Sequence, residues 1–442
     1  MARYTDFAAN IHGRTTPTGR LLMPLKIAYV MSRFPHLPET FILREMSELE
    51  RQGWQVALYP LVVQAQPVVH AEAARWLPEI RHVPFVSRAV LAGNGRVFWQ
   101  HPTTYLRLWK QTIIGNISDP NMLLRACALF PKAVQAAAQM QAEGVGHIHA
   151  HYATHPAFFA WLIHQLTGIS YSLTVHAHDI FVRTAMLEAK LRSASFVVAI
   201  SDYNVAYLSQ VVGPWVRDKT AVIHCGITPE LYQPRSAPAQ PGLPLEVISI
   251  GSLQPYKGQA FLVRACALLK QAGIPFRCRI IGGGAEQSNL LSLIEQLGLQ
   301  QQVQLLGPLP QEEVAALLPT ATCYVQPSVI MPSGKMEGIP VSLMEALACA
   351  VPVVATHLSG VPELVQDGVT GFLVPPADAG ALAQAMQSIY QSPEAAFATA
   401  VAGRQHVLHA FHLQHNVTEL ASLFKRYAGK ENLAFQPQPL CG

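Results

Sequence analysis

Short apolar runs alternate with segments of helical spacing, twice over, and this alternation constrains the fold more than any other feature of the chain. Leu25–Ser32 (LKIAYVMS) is a short apolar run and reads as a buried strand. Thr40 to about Gln52 follows, with Phe41, Leu43, Met46 and Leu49 on a helical spacing. Gly53 ends that helix, and Trp54–Val62 returns as a strand, which makes a βαβ unit. After a less regular middle the pattern resumes: strand His147–Tyr152, helix His155–Leu166 and strand Tyr171–His176. Phe196–Ile200 and Ala221–His224 complete the first set. Strands alternating with helices predict a parallel sheet covered on both faces.

The composition then shifts. Pro229–Pro244 carries five prolines in sixteen residues and no apolar periodicity, which reads as a linker. A second series begins at once, with strand Leu245–Ile250, helix Ala260–Gln271, strand Phe276–Ile281 and helix Leu290–Leu297. Val303–Leu306, Cys323–Gln326 and Val353–Ala355 supply later strands, and Ala379–Tyr390 a further helix. A last helical stretch, near His412–Tyr427, could pack back onto the first half. The expectation is an α/β chain of two Rossmann-like domains whose parallel sheets face an inter-domain cleft. The expected limits are a polar extension over 1–22, a first domain over 23–228 and the linker over 229–244. A second domain over 245–405 and a returning helix with its tail over 406–442 complete them. A length of 442 residues suits two domains.

Half the residues are hydrophobic and 13% are charged, so a globular fold is expected. The net charge of +4 is weak, and no run of Lys and Arg suggests a nucleic-acid groove. Seven scattered cysteines without a C-x-x-C pair read as reduced thiols in a cytoplasmic protein. No apolar stretch reaches the ~20 residues of a membrane span, and the N-terminus lacks the apolar region of a signal peptide. Arg88–Lys132 mixes Arg88, Arg96, Arg107 and Lys110 with Phe98, Trp99, Tyr105 and Trp109, and Asp119 is its one acid. That composition suits ordinary helices covering a sheet first, and also peripheral contact with an anionic membrane.

The chemistry concentrates in the segment from Met336 to Thr356 (MEGIPVSLMEALACAVPVVAT). Gly338 and Pro340 make a loop, and strong helix formers follow from Val341. The first N–H groups of such a helix are unpaired and its dipole is positive there, so a diphosphate could sit on it. Glu337 precedes this anion site and Glu345 lies about one turn inside. Lys257 stands in a strand-to-helix loop, Gly251 to Gly258, where its charge could neutralise phosphate. Gly282-Gly283-Gly284 is a second such turn; it matches neither a dinucleotide fingerprint nor a P-loop. His176, in Thr174–Ile180 (TVHAHDI), ends a strand, where a histidine suits a site of shifting charge. A metal site from His176, His178 and Asp179 is a weak alternative.

These residues together resemble the retaining glycosyltransferases of family 4, which have the GT-B fold. The motif E-G-I-P-x-x-L-M-E-A-x-A, with Gln326-Pro327-Ser328 before it and GVPELVQDGVTGFLVPP after it, carries the resemblance over roughly 245–374. The resemblance implies that Glu337 bonds hydroxyls of the donor sugar and Glu345 the nucleotide ribose. In the loop that joins them, the backbone amides of Ile339, Val341 and Ser342 would face the diphosphate, and Gly338 and Pro340 would complete the donor-binding turn. Lys257 fits the family's phosphate lysine; Ser252 stands where the family has an arginine. Gly283 and Gly307 would line the nucleotide pocket, and His176 would face the sugar near its anomeric carbon. Ser32–Phe41 resembles the subgroup of bacterial exopolysaccharide assembly, the colanic-acid type. It reads equally as a capped helix start or as a loop over the acceptor or the donor's leaving phosphate, with Phe34, Glu39 and Thr40 as acceptor-side candidates.

The activity so implied is transfer from a UDP- or GDP-linked sugar to a glycan, lipid-linked or small-molecule acceptor, with retention. No cofactor and no metal are implied, and the place of action is cytoplasmic or the inner face of the membrane. A GT-B epimerase, or a module that binds nucleotide sugar without turnover, is the alternative.

Overall fold

Two six-stranded sheets, parallel throughout, organise the computed structural model, which describes residues 26–35, 40–64 and 71–427. The expected extension 1–22, Glu39 and the tail beyond 427 lie outside the described residues. The first sheet holds β1 (Lys26–Phe34), β2 (Gln55–Val63), β3 (His147–His151), β4 (Ser170–Val175), β5 (Phe196–Ala199) and β6 (Thr220–Val222). Its order is β2-β1-β3-β4-β5-β6. The second holds β7 (Leu245–Ile250), β8 (Phe276–Ile281), β9 (Val303–Gly307), β10 (Cys323–Gln326), β11 (Val353–Thr356) and β12 (Phe372–Val374). Its order is β12-β11-β10-β7-β8-β9. The winding reverses between β1 and β3, and again between β7 and β10. Crevices outside the strand ends at such points are where open parallel sheets bind ligands.

Helices cover both sheets. In the first half they are α1 (Thr40–Arg51), α2 (Ala71–Trp76), α3 (Arg88–Gln100), α4 (Pro102–Asn116), α5 (Pro120–Ala142), α6 (His155–Thr167), α7 (His178–Phe181), α8 (Leu187–Ser193) and α9 (Asp202–Val212). In the second they are α10 (Gln259–Gln271), α11 (Gln287–Gln296), α12 (Gln311–Leu317), α13 (Val341–Ala348), α14 (Val361–Leu364), α15 (Ala379–Gln391), α16 (Pro393–Ala410) and α17 (Leu413–Tyr427). The middle that looked irregular in sequence is therefore helical. Its starts are well marked: the Ser87 hydroxyl accepts the Val90 N–H at 3.1 Å, and Asp119 accepts those of Asn121 and Met122. Its periodicity is not, because α4 buries Leu108, Thr112 and Asn116 and leaves Leu106, Ile113 and Ile114 exposed.

Helix α17 returns to the first half. Its Phe424 ring lies among Trp54, His147 and Phe196, at centroid distances of 5.9, 5.5 and 6.0 Å. The chain crosses at Gly226, where a Cβ would stand 2.5 Å from the Leu413 backbone, so only glycine allows the two crossings to touch. The halves also meet across the cleft. The Glu363 carboxylate accepts the N–H groups of Asp202 and Tyr203 at 2.9 and 3.0 Å, so a side chain of one domain caps a helix of the other. The six described cysteines form no disulfide. No helix among the described residues is long and apolar enough to cross a membrane.

Candidate active site

The carboxyl ends of β3 and β4 face those of β7, β10 and β11, and the predicted donor residues gather between them. Helix α13 starts at Val341 behind Pro340, as expected. Leu343 N–H turns back to the Pro340 carbonyl at 3.1 Å. The preceding N–H groups, of Val341 and Ser342, belong to the first turn and have no partner within the helix. The Ser342 hydroxyl faces inward instead, accepting from Tyr324 Oη at 2.8 Å and donating to the Ile250 carbonyl at 3.3 Å. Any ligand contact by Ser342 is therefore through its backbone.

The loop before α13 reaches across the cleft. A Cβ on Gly338 would come within 3.0 Å of Ile200 and 3.5 Å of the His176 carbonyl. The backbone of Glu337 and Gly338 is fixed by the Ser359 hydroxyl, which donates to both carbonyls at 2.7 and 2.9 Å. Ile339 is buried. The Glu337 carboxylate meets Lys257 Nζ at 2.5 Å, with both side chains largely buried. Burial opposes the charge on Lys257, but the Glu337 carboxylate and the Tyr256 phenol beside it outweigh that, and its pKa is raised. The lysine stays cationic. It sits on a single turn, Pro255–Lys257, closed by Gly258 in a left-handed conformation (φ +69°). A Cβ there would stand 1.9 Å from the Pro327 carbonyl oxygen, which explains both the glycine and its pairing with Gln326-Pro327-Ser328.

Ser252 lies in the same loop and its carbonyl accepts from Gln259 at 3.2 Å. Lys335 sits over the Tyr256 ring, 4.4 Å from its centroid, and brings a second cation to the neighbourhood of Lys257. Its signal in sequence was only its place two residues before Glu337. Gly283 follows β8 and Gly307 ends β9; a Cβ on Gly283 would come no closer than 3.6 Å to Pro308, and one on Gly307 would meet open space.

Glu345 is 5% exposed, and its Oε1 collects three donors. Tyr232 Oη lies at 2.7 Å, Gln311 Nε2 at 3.1 Å and Arg44 Nη2, from α1 of the other domain, at 3.2 Å. The sequence reading missed all three. Arg44 is 301 residues from Glu345, and Tyr232 lies in the proline-rich segment.

His176 is 6% exposed, directly after β4. Its Nε2 is 3.2 Å from His151 Nδ1, and His151 Nε2 is 3.1 Å from Glu45 Oε1, which also accepts from Tyr29 Oη at 2.6 Å. Below it runs a ladder. His147 bonds the hydroxyls of Ser170 and Ser172, and His149 those of Ser172 and Thr174, at 2.8 to 3.0 Å. His147 and His149 thus each bridge two rungs of β4. Burial lowers the pKa of His176, His149 and His147, and neighbouring imidazoles add to the effect. Ligand atoms of Glu45, His149 and His151 lie within 4.8 Å of one another, the spacing of a metal site. Both ring nitrogens of His149 are nonetheless held by hydroxyls, so the geometry favours a hydrogen-bonded net. Asp179 accepts the N–H groups of Ala153, His176 and Ala177, which gives it a local structural role in place of metal ligation.

On the supposed acceptor side, Phe34 is buried, 1% exposed, in the core beneath α1. Thr40 opens α1, and Glu39 lies outside the described residues. Phe41, one position on, has its ring 5.0 Å from that of His176.

Two facing parallel α/β domains, with an anion-ready helix start on one and a buried histidine on the other, define a GT-B glycosyltransferase. Solved structures agree on the fold. Sucrose-phosphate synthase of Thermosynechococcus elongatus covers 91% of this chain and 98% of its own at a TM-score of 0.67 and 21% identity. HepE of Anabaena, determined with UDP and glucose, covers 91% and 100% at a TM-score of 0.65 and 19% identity. Residues 235–406 match the family described as glycosyl transferases group 1. The putative colanic acid biosynthesis glycosyltransferase WcaL of Escherichia coli K12 is 32% identical over 424 residues, 91% of this chain and all of that protein. The chain belongs to this family of glycosyltransferases, in the family-4 GT-B class.

Proposed function

We propose that the protein transfers a glycosyl unit from a nucleoside-diphosphate sugar, UDP- or GDP-linked, to a glycan or lipid-linked acceptor in exopolysaccharide assembly, with retention. The observation that carries this is the Lys257–Glu337 pair beside the start of α13, opposite His176. Lys257, the first amides of α13 and the nearby Lys335 would stabilise the departing diphosphate as charge develops on it. Glu337 would bond hydroxyls of the sugar, and Glu345 the ribose through Oε2, which no described residue bonds. The bond from the anomeric carbon to the phosphate oxygen breaks. The acceptor oxygen attacks the same face, and its proton passes to the leaving phosphate. The name of WcaL, a relative along its whole length, supports exopolysaccharide as the product class.

A second part of the proposal concerns place. Trp99, Leu91, Ile117 and Leu124, on and around α3 to α5, are 81, 66, 66 and 72% exposed. Beside them a cavity of about 690 Å³ is lined by Ile114, Trp161, Met186 and Leu187, with Arg107 and Lys110 among its walls. Apolar tips set among cations suit the headgroup region of an anionic bilayer, which would bring a lipid-linked acceptor to the cleft.

Mass spectrometry of products from a panel of UDP- and GDP-sugars and acceptors tests the reaction. The native chain adds one glycosyl unit to an acceptor. Glu337→Gln, which keeps the shape and loses the charge, lowers the rate about 100-fold or more. A variant as active as the parent would remove Glu337 from the site.

A further inference from the structure

We infer that Glu45 and His151 are positioning residues that fix the tautomer of His176, so that its Nδ1 faces the cleft as a hydrogen-bond acceptor for a hydroxyl of the donor sugar. The sugar contact rests on the proposed transferase reading; the tautomer does not.

The argument follows the protons. An ionised carboxylate only accepts hydrogen bonds. Tyr29 Oη donates to Glu45 Oε1 at 2.6 Å, and Tyr29 keeps its proton because burial, and then the Glu45 charge, raise its pKa. His151 Nε2, 3.1 Å from the same oxygen, must therefore also donate. A neutral imidazole has one N–H, so His151 Nδ1 is an acceptor. His176 Nε2, 3.2 Å away, must donate to it. That leaves His176 Nδ1 with a lone pair, and no described residue is paired with it. A hydrogen-bond donor from the cleft completes the set.

Among the described residues, the partners of the relay keep this polarity. His149, the neighbour on β3, has both nitrogens held by Ser172 and Thr174 and cannot compete for His151. Among the described residues, the other titratable groups around the relay are Cys225 against Glu45, and Tyr152, His178 and Asp179 against His176. Burial, and then the Glu45 carboxylate, push the Cys225 thiol up to about 12, so it is neutral. Asp179 bonds the backbone of His176, not its ring. The rings of Phe41 and Tyr152, with centroids 5.0 and 4.6 Å from His176, hold the imidazole in place. A second proton on His151 would invert the relay, making His151 Nδ1 a donor and His176 Nδ1 a donor in turn.

The tautomer can be read directly. The full chain, labelled with ¹⁵N-histidine, gives two-bond ¹H–¹⁵N correlations at pH 7.5, and the His176 signals are those lost in His176→Asn. The native protein shows the Nε2–H form. In Glu45→Gln, whose carboxamide can donate or accept, the Nδ1–H share of His176 rises from about a tenth or less to about a third or more. His151→Asn, which cuts the link to Glu45 at a second point, gives the same mixture and serves if the first variant does not fold. Either variant lowers the transfer rate about 10- to 100-fold, with KM for the donor within about threefold. Native His176 in the Nδ1–H form, or a tautomer or transfer rate unmoved in both variants, overturns the proposal. The spectra need no donor, so a protein that fails to transfer sugar leaves the tautomer result standing.

Discussion

Three donors converge on Oε1 of Glu345, and none of the described residues bonds its Oε2. A buried carboxylate needs such company, because a lone charge in that setting is costly. The arrangement also pre-orients the second oxygen, which would otherwise need ordering when a ribose arrives. Glu345→Gln keeps the shape and weakens a hydrogen bond from a ribose hydroxyl. Charge-assisted bonds of this kind contribute about 1.5–3 kcal/mol, so affinity for UDP or GDP should fall roughly 10- to 150-fold. Calorimetry with the matching 2′,3′-dideoxynucleotide completes a double-mutant cycle. That analogue should bind the native and variant proteins alike. Equal losses for both ligands would place the effect in the Arg44 and Tyr232 contacts rather than on the ribose.

At the scale of elements, β3 is unusual in carrying three histidines on one buried face. It is tolerated because β4 offers Ser170, Ser172 and Thr174 to His147 and His149, while His151 is satisfied by His176 and Glu45. The cost appears in acid. Burial pushes the pKa of His147 down to about 3 and that of His155 to about 4, and lowers those of His149 and His176. An unfolded imidazole titrates near 6.5, so below that pH the unfolded chain binds protons that the native chain refuses. Stability is therefore complete above pH 6.5 and lost as pH falls from there toward 3 to 4. At pH 5.5 His147 and His155 each contribute a loss of about 1.4 kcal/mol. Circular-dichroism melts at pH 7.5, 6.5 and 5.5 should show the midpoint falling over the last step, and less steeply in His147→Gln. A flat midpoint would mean that these imidazoles are not held neutral. The same ladder marks a limit of sequence reading. The strands other than β12 were legible because their apolar runs are short and bounded; β12, only Phe372–Val374, reads as part of a loop. The histidine net was not, because its partners come from a neighbouring strand and from Glu45, 106 residues before His151. Glu337, Lys257 and α13 were legible because loop, charge and helix start are adjacent in sequence. Helices α2 to α5 were not, because their apolar residues are divided between core and surface.

For the whole molecule, that division is itself informative. A helix layer that only covered a sheet would turn its large apolar side chains inward. Here Trp99, Leu106, Ile114, Ile117 and Leu124 point outward from the first domain, each more than half exposed. Between Arg88 and Lys132 the one acid, Asp119, is paired with Arg183 at 2.8 Å, so Arg96, Arg107 and Lys110 face no acid from within their own segment. Bilayers of phosphatidylglycerol and neutral lipid attract such a face through both charge and apolar insertion, whereas neutral vesicles offer only the second. The full chain should therefore float with anionic liposomes at low salt and float poorly with neutral ones. Trp99→Ser combined with Leu124→Ser should weaken flotation with anionic vesicles without lowering the melting midpoint, because both side chains are already in water. Raising the salt should weaken it further, since a Debye length near 10 Å at about 0.1 M screens surface charge. A chain that stays with the soluble fraction on anionic vesicles, at every salt concentration, would assign the apolar face to something other than a bilayer and leave the transfer chemistry untouched.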